Sequence, residues 1–177
     1  QGLFVKVAQV AAEVFQIDLD RVKITATNTG KSANTAPTAA SSGSDINGMA
    51  VKNACEQIKG RLVAFAAERF QATPEQVRFL PGRVQVGEAQ IAFDELVKQA
   101  FMARVSLSAA GHYATPKIHW DRAAARGRPF YYFAYGAAVT EATIDTLTGE
   151  YRFDRADILH DVGRSLNPAI DLGQIEG

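Results

Sequence analysis

Glutamine amides, small hydroxyls and exposed backbone amides are the chemistry this chain offers in concentrated form. Three loci combine such groups with small neighbours: Gln1-Gly2 at the start of a helical pattern, Ala40-Ser41-Ser42-Gly43 before a second, and Gln174 inside a short later one. A glutamine side chain is both donor and acceptor, while a helix N-terminus carries unpartnered N–H groups and a dipole that favours negative charge. Such groups suit a neutral heterocycle with a phosphate tail, although periodicity does not show that the three loci converge. The middle locus lies in Asn28 to Asp45, NTGKSANTAPTAASSGSD, with no branched aliphatic, no aromatic and only two charged residues. A segment this small-sided lets its backbone touch a ligand, and because a helix follows, phosphate is the ligand the geometry suits best. The alternative is a flexible surface loop whose Ser44 or Asp45 merely caps the helix. Composition alone favours the loop, since Gly/Ser/Thr-rich connections are common and seldom bind phosphate.

Other chemistries fail on spacing. Gly30-Lys31-Ser32 resembles the end of a phosphate-binding P-loop, but that pattern needs a glycine where Thr25 stands and a helix where Ser32 to Pro37 is interrupted by proline. His112, His119 and His160 are too scattered for zinc, and no CxxC motif accompanies them. His160-Asp161 beside Ser165 lacks the GxSxG context of a serine nucleophile, so a histidine at a strand end is the better reading. Tyr131, Tyr132, Phe133 and Tyr135 lack the basic neighbours of a base-stacking surface, and strand packing explains them better.

The elements that must position these residues follow from periodicity. Leu3, Val7, Val10, Ala11 and Val14 predict a helix from about Leu3 to Phe15, and Val22 to Ala26 is a strand candidate. From Asp45 to about Phe70, apolar residues recur at Val51, Ala54, Cys55, Ile58, Leu62 and Phe65, a long helix. Arg78 to Val86 reads as a hairpin around Pro81-Gly82, and Phe93 to Ala103 as a helix with Asp94 and Glu95 in its first turn. Arg122 to Arg128 reads as a solvated loop. The strongest hairpin signal comes from Phe130 to Ile144 and Tyr151 to Leu159, flanking Leu147-Thr148-Gly149. Asn167-Pro168 then reads as an N-cap followed by proline at the first helical position, placing Gln174 about two turns in. The predicted class is α+β, a two-layer arrangement of helices on a mixed, mainly antiparallel sheet, with residues 1–177 as a single domain.

Composition bounds the function. The 177 residues are 47% apolar and 21% charged, an ordinary globular balance. Nineteen basic residues match nineteen acidic ones, so no global field recruits nucleic acid or an anionic membrane. The lone Cys55 falls on the apolar stripe of the long helix and excludes a disulfide within the chain. No apolar stretch is long enough to span a membrane and no leader is evident, so a cytoplasmic location is the default expectation. The chain begins at Gln1 without methionine and stops inside a helical pattern, which reads as a piece of something longer.

Taken in order, Gln1-Gly2-Leu3, NTAPTAAS at 34–41, DING at 45–48, VSLSAAG at 105–111, FAYG at 133–136 and DVGRSLNPAIDLGQIEG at 161–177 carry a resemblance. They are similar to the molybdenum-binding subunit of the xanthine dehydrogenase family of molybdenum hydroxylases. The resemblance implies a molybdenum–molybdopterin cofactor, hydroxylation of hypoxanthine and xanthine to urate with oxygen drawn from water, and electrons passed to 2Fe-2S clusters and FAD held in other domains or subunits. It makes Gln1 the glutamine that contacts the cofactor beside the metal. Ala40, Ser41, Ser42 and Gly43 become the loop that receives the pterin and its phosphate, and Gln174 the glutamine that hydrogen-bonds the pterin. The family loop varies where Ser42 and Gly43 stand. Asp45 should turn away from the phosphate or cap the helix. The family's catalytic glutamate belongs beyond Gly177 and its substrate-orienting groups before Gln1, so no catalytic residue and no direct metal ligand is assigned here. The implied partners are the rest of the molybdenum subunit, the Fe–S/FAD subunit and a purine substrate. Alone, the chain should hold little cofactor and turn nothing over. The alternatives are an aldehyde or other N-heterocycle hydroxylase and, in another class, a noncatalytic phosphate-binding or interaction module.

Overall fold

The structure is a computed structural model, which describes residues 2–31, 38–39 and 41–177. It divides into two compact units, Gln1–Ala114 and Thr115–Gly177. Four helices and seven short strands give the expected α+β class, with the strands in three separate antiparallel sheets and no parallel pairing among the described residues.

In the first unit, helix α1 (Leu3–Phe15) turns its small side chains Ala8 and Ala12, with Val14, inward. They pack toward α2 (Gly43–Phe70), whose buried stripe includes Gly48, Cys55, Leu62, Ala66 and Ala67. Both helices match their expected positions to within two residues. Burial also pushes the Cys55 thiol up from its ordinary value, keeping it protonated and unreactive near neutral pH. Three strands follow, β1 (Val77–Leu80), β2 (Arg83–Val86) and β3 (Ala89–Ala92), paired in the order β1-β2-β3. The expected hairpin is present around Pro81-Gly82. Its turn is tied on both sides: the Gly82 amide donates to the Gln16 carbonyl, and the Gly82 carbonyl accepts from the Phe93 amide that opens α3 (Phe93–Met102). Ala66, Val84, Val86 and Leu96 form a core where α2 and α3 cover one face of this sheet, with Phe65, Phe79, Ile91 and Phe93 around it.

Val22 to Ala26 is a correction. These residues form no strand pairing among the described residues, and all but Val22 are exposed. β-Branched residues favour a pleated surface only where a neighbouring strand supplies one. Arg21 just before them reaches Asp94 on α3 in an exposed ion pair.

After α3 the chain runs back along α2 without joining a sheet. Residues 105–114 alternate between half-buried and exposed, and a polar row on α2 grips their backbone. The Asn53 amide donates to the His112 carbonyl at 2.7 Å and the Gln57 amide to the Ala110 carbonyl at 3.2 Å. Arg61 donates to the Ser108 and Ser106 carbonyls at 2.8 and 3.0 Å. The spacing is physically matched: four helical residues rise about 6 Å, and two extended residues span about 6.7 Å. At Gly111 the strap comes so close that a Cβ would lie 1.8 Å from the Ala50 carbonyl oxygen.

The second unit holds two hairpins and a helix. β4 (His119–Asp121) pairs with β5 (Arg126–Arg128), so Arg122 to Arg128 is not simply a loop but a turn with a strand behind it. Asp121 builds that turn by accepting from the Ala123 and Ala124 amides. β6 (Gly136–Ile144) pairs with β7 (Tyr151–His160), shifted once between Glu141 and Ala142. Phe130 to Tyr135, expected in a strand, precede it as irregular, exposed backbone, so strand packing does not explain those aromatics. Asp145 organises the β6–β7 turn by accepting from the Leu147 and Thr148 amides, and these bonds lower its pKa. Helix α4 (Pro168–Glu176) starts as the sequence predicts: Asn167 accepts from the Ile170 amide, and Pro168 needs no partner for an N–H it lacks.

Candidate functional site

The expected ligand groups fall in two places. Gln1, Ala40 and the segment Ser32–Pro37, which holds half of the NTAPTAAS motif, lie outside the described residues. Ser41, Ser42 and Gly43 form the entry to α2 in the first unit, and Gln174 lies on α4 in the second.

At the α2 entry, Ser41 takes a left-handed backbone conformation, φ 56°, and Ser42 becomes the N-cap. The Ser42 hydroxyl does not cap the helix, because it donates to the Ala39 carbonyl at 3.1 Å. Ser44 does not cap it either. Asp45, in the first turn, was expected to turn aside or cap; it supplies no cap, and its Oδ1 is buried without a hydrogen-bond partner among the described residues. Among the described residues, a 28-residue helix therefore begins with the amides of Gly43, Ser44 and Asp45 lacking both intrahelical acceptors and a side-chain cap. Those N–H groups and the dipole behind them are the donor set an anionic oxygen requires. Asp45 opposes a second anion in the same turn.

Gly43 has a packing reason as well as a ligand reason. A Cβ there would meet Leu3 Cδ2 at 2.8 Å and Thr38 Cγ2 at 3.3 Å. The missing side chain lets the start of α2 sit against α1, which fixes the direction of its free amides.

In the second unit, α4 and the end of β7 enclose an open groove of about 680 Å³. Leu159, Leu172 and Ile175 make most of its wall apolar, and Gln174, His160 and Asp171 add polar groups. The Ser165 hydroxyl donates to Asp171, which ties the loop before α4 to its first turn. Gln174 thus presents its amide beside an apolar surface, an arrangement able to orient a flat heterocycle through both donor and acceptor. Among the described residues, no three histidine, cysteine or acidic side chains gather where they could hold a metal ion, and no helix is long and apolar enough to cross a membrane.

The Asn53, Gln57 and Arg61 row was not anticipated. Its signal was available as three polar residues at i, i+4 and i+8, but its acceptors are backbone carbonyls 45 to 59 residues away, for which sequence carries no mark.

Comparison with known proteins gives a consistent result. A family profile described as the molybdopterin cofactor-binding domain matches residues 1–177. The chain is 45% identical over 177 residues to xanthine dehydrogenase of Oryza sativa subsp. japonica, covering all of this chain and 12% of that protein. It is 42% identical over 182 residues to nicotinate hydroxylase of Emericella nidulans, again covering all of this chain and 12% of that protein. The crystal structure of quinoline 2-oxidoreductase from Pseudomonas putida 86 matches with a TM-score of 0.71 at 22% identity, over 97% of this chain and 21% of that one, a likeness of fold. The chain therefore spans about an eighth of the length of the relatives it matches.

Proposed function

The chain belongs to the molybdopterin cofactor-binding domain family, and on that premise we propose that it forms one wall of the cofactor site of a larger molybdenum hydroxylase that oxidises xanthine and hypoxanthine to urate. The observation that carries this reading is the start of α2, where three amides have neither an intrahelical acceptor nor a side-chain cap among the described residues and so suit an anionic oxygen. Ser41, Ser42 and Gly43, with Ala40, receive the phosphate end of the cofactor; Gln174 hydrogen-bonds the pterin, and Gln1 contacts the cofactor beside the metal. When bound, the molybdenum–pterin group supplies the two-electron oxidation chemistry, with water as the oxygen source. This chain binds and orients, and contributes no proton-transfer group. The remaining parts of the molybdenum subunit complete the site and supply the substrate-reading residues. Electrons pass to Fe–S and FAD centres carried elsewhere, in a cytoplasmic enzyme of purine catabolism. The 177 residues alone, as a single domain cut from that assembly, hold cofactor weakly and are inactive, because half a cradle is not preorganised.

One observation supports a second reading. Nicotinate hydroxylase is nearly as similar in sequence as the plant xanthine dehydrogenase, so the parent acts on another N-heterocycle or an aldehyde if substrate choice lies in residues outside this stretch.

The test is made on the full-length parent. It should carry close to one molybdenum per polypeptide and reduce an acceptor in the presence of xanthine. Gln174→Ala should lower cofactor occupancy or turnover while leaving helical content unchanged. A parent purified without molybdenum under conditions that support activity in related enzymes contradicts the proposal, and so does a Gln174→Ala enzyme with full occupancy and turnover.

A further inference from the structure

Gly43, the buried first residue of α2, is where three stretches of the chain meet. A Cβ placed there would lie 2.8 and 3.3 Å from the two methyls of Leu3, which opens α1, and 3.3 Å from the methyl of Thr38. Leu3 ends the Gln1-Gly2-Leu3 motif and Thr38 lies in NTAPTAAS, so two segments far apart in sequence close on the mouth of α2 at one missing side chain. Farther along, the nearest atom to a Cβ on Gly48 is Cγ2 of Val10, at an ordinary 3.7 Å. The contacts advance together, Leu3 to Val10 on one helix and Gly43 to Gly48 on the other, so α1 and α2 run in the same direction with their N-termini side by side. Little else holds that mouth. Among the described residues no side chain caps it, and the Ser42 hydroxyl is taken by the Ala39 carbonyl. The direction of the Gly43, Ser44 and Asp45 amides is therefore set by packing, and Leu3 is the large apolar side chain packed there.

We propose that Leu3 is a positioning residue for the cofactor: its methyls, set against Gly43, aim the first amides of α2 at the phosphate and tie that mouth to the start of α1. The proposal rests on the reading that those amides receive the phosphate. Leu3 needs no contact with the cofactor, because it acts through the backbone of Gly43. A backbone donor set works only when held within about 0.5 Å of its productive geometry, and hydrogen bonds weaken steeply once distance and angle drift. Truncating Leu3 removes the atoms that stop the α2 start from moving toward α1, and a packed interface relaxes only partly into such a gap. Gly2 helps to place Leu3, since its left-handed backbone, φ 64°, turns the chain into α1. Val10 lies on the same interface against Gly48, but well inside the hydrogen-bonded part of α2, where the backbone no longer has free amides to aim.

The test compares Leu3→Ala with Val10→Ala in the full-length parent, through two readouts that need no turnover. One is molybdenum retained per polypeptide after exhaustive dialysis. The other is hydrogen exchange at the Ile46 amide, which donates to the Ser42 carbonyl at 3.1 Å and is the first intrahelical bond of α2. Leu3→Ala should lower retention about tenfold, the scale on which groups that orient a bound metal's ligands act, and speed Ile46 exchange about tenfold as the first turn opens locally. Val10→Ala should leave both near the wild-type values, and Leu3→Met, which keeps the volume, should restore them. Wild-type retention and exchange in Leu3→Ala would overturn the proposal, and so would equal losses in Val10→Ala, which would make both residues plain packing. If Leu3→Ala does not fold, Gly43→Ala presses on the same methyls from the other side. It should also lower retention, and Leu3→Val in that chain should recover most of the loss; wild-type retention in Gly43→Ala would again overturn the proposal. Full molybdenum in Leu3→Ala sinks this inference alone. A metal-free wild-type parent sinks the proposed function, and Ile46 exchange still decides whether Leu3 sets the start of α2.

Discussion

The two units solve the same stability problem differently. Up to Ala114 the chain buries its own apolar surface: Leu62, Ala66, Val84, Leu96 and Ala100 are essentially inaccessible, and the strap after α3 is held by side chains of α2. From Thr115 onward it buries almost none, and Tyr151, Phe153, Ile158 and Leu172 remain open. Yet the second unit is no less ordered locally. Asp121, Asp145 and Asn167 each bond backbone amides that fix a turn or helix start. The contrast separates two sources of structure: short-range hydrogen bonding shapes the second unit, and long-range burial stabilises the first.

That contrast can be broken at several points. The largest effect is expected at Gly111, where an added methyl would overlap the Ala50 carbonyl. Gly111→Ala should cost more than the ~1–3 kcal/mol of ordinary overpacking and release the strap, seen as faster amide exchange over residues 105–112. Next comes the core itself: Leu96→Ala should destabilise the first unit by ~2–5 kcal/mol. Phe153→Ala in the same 177-residue chain should change the urea transition by less than ~0.5 kcal/mol, because its ring is already in water. Comparable losses at the two positions would erase the distinction between the units. Arg61→Met removes the donor to the Ser106 and Ser108 carbonyls and should cost about 1 kcal/mol, with opening confined to the strap.

The smallest effect belongs to the β6–β7 turn. Amide hydrogen bonds from Leu147 and then Thr148 hold the Asp145 pKa below its ordinary value of 3.8. A carboxylate depressed on folding adds stability above its unfolded pKa and loses it as pH falls through the lower folded one. The turn should therefore hold at pH 5 and loosen only below about pH 4, followed through the Leu147 and Thr148 amide resonances. Asp145→Ala should remove the dependence.

Much of this was legible in the sequence. Helices α1, α2 and α3 announce themselves through apolar periodicity, and α4 through Asn167-Pro168, because both signals are local. Turn residues, Pro81-Gly82 and Leu147-Thr148-Gly149, likewise marked the β1–β2 and β6–β7 hairpins. Strand identity was less legible, since it depends on a partner. Val22 to Ala26 has strand-like residues and no neighbouring strand among the described residues, whereas Arg126–Arg128 has unpromising residues and pairs with His119–Asp121. Ala89–Ala92 was missed for the same reason: one large apolar residue, Ile91, gives no period to read, and pairing with β2 makes the strand. Of the candidate site, a helix beginning after small residues was visible from composition. What Ser42 does was not, because its hydroxyl donates to a backbone carbonyl, that of Ala39, which residue type does not mark. Gln174 gained meaning only through resemblance, as one polar group near the end of a nine-residue helix.

The central claim is that the free amides opening α2 receive the cofactor's phosphate. Hydrogen–deuterium exchange of the full-length parent, compared with and without bound cofactor, tests it most directly. Exchange at Gly43, Ser44 and Asp45 should slow by about tenfold or more in the loaded protein, as their N–H groups gain acceptors, while β6 and β7 stay unchanged. Equal exchange at those three amides in both states would contradict the account.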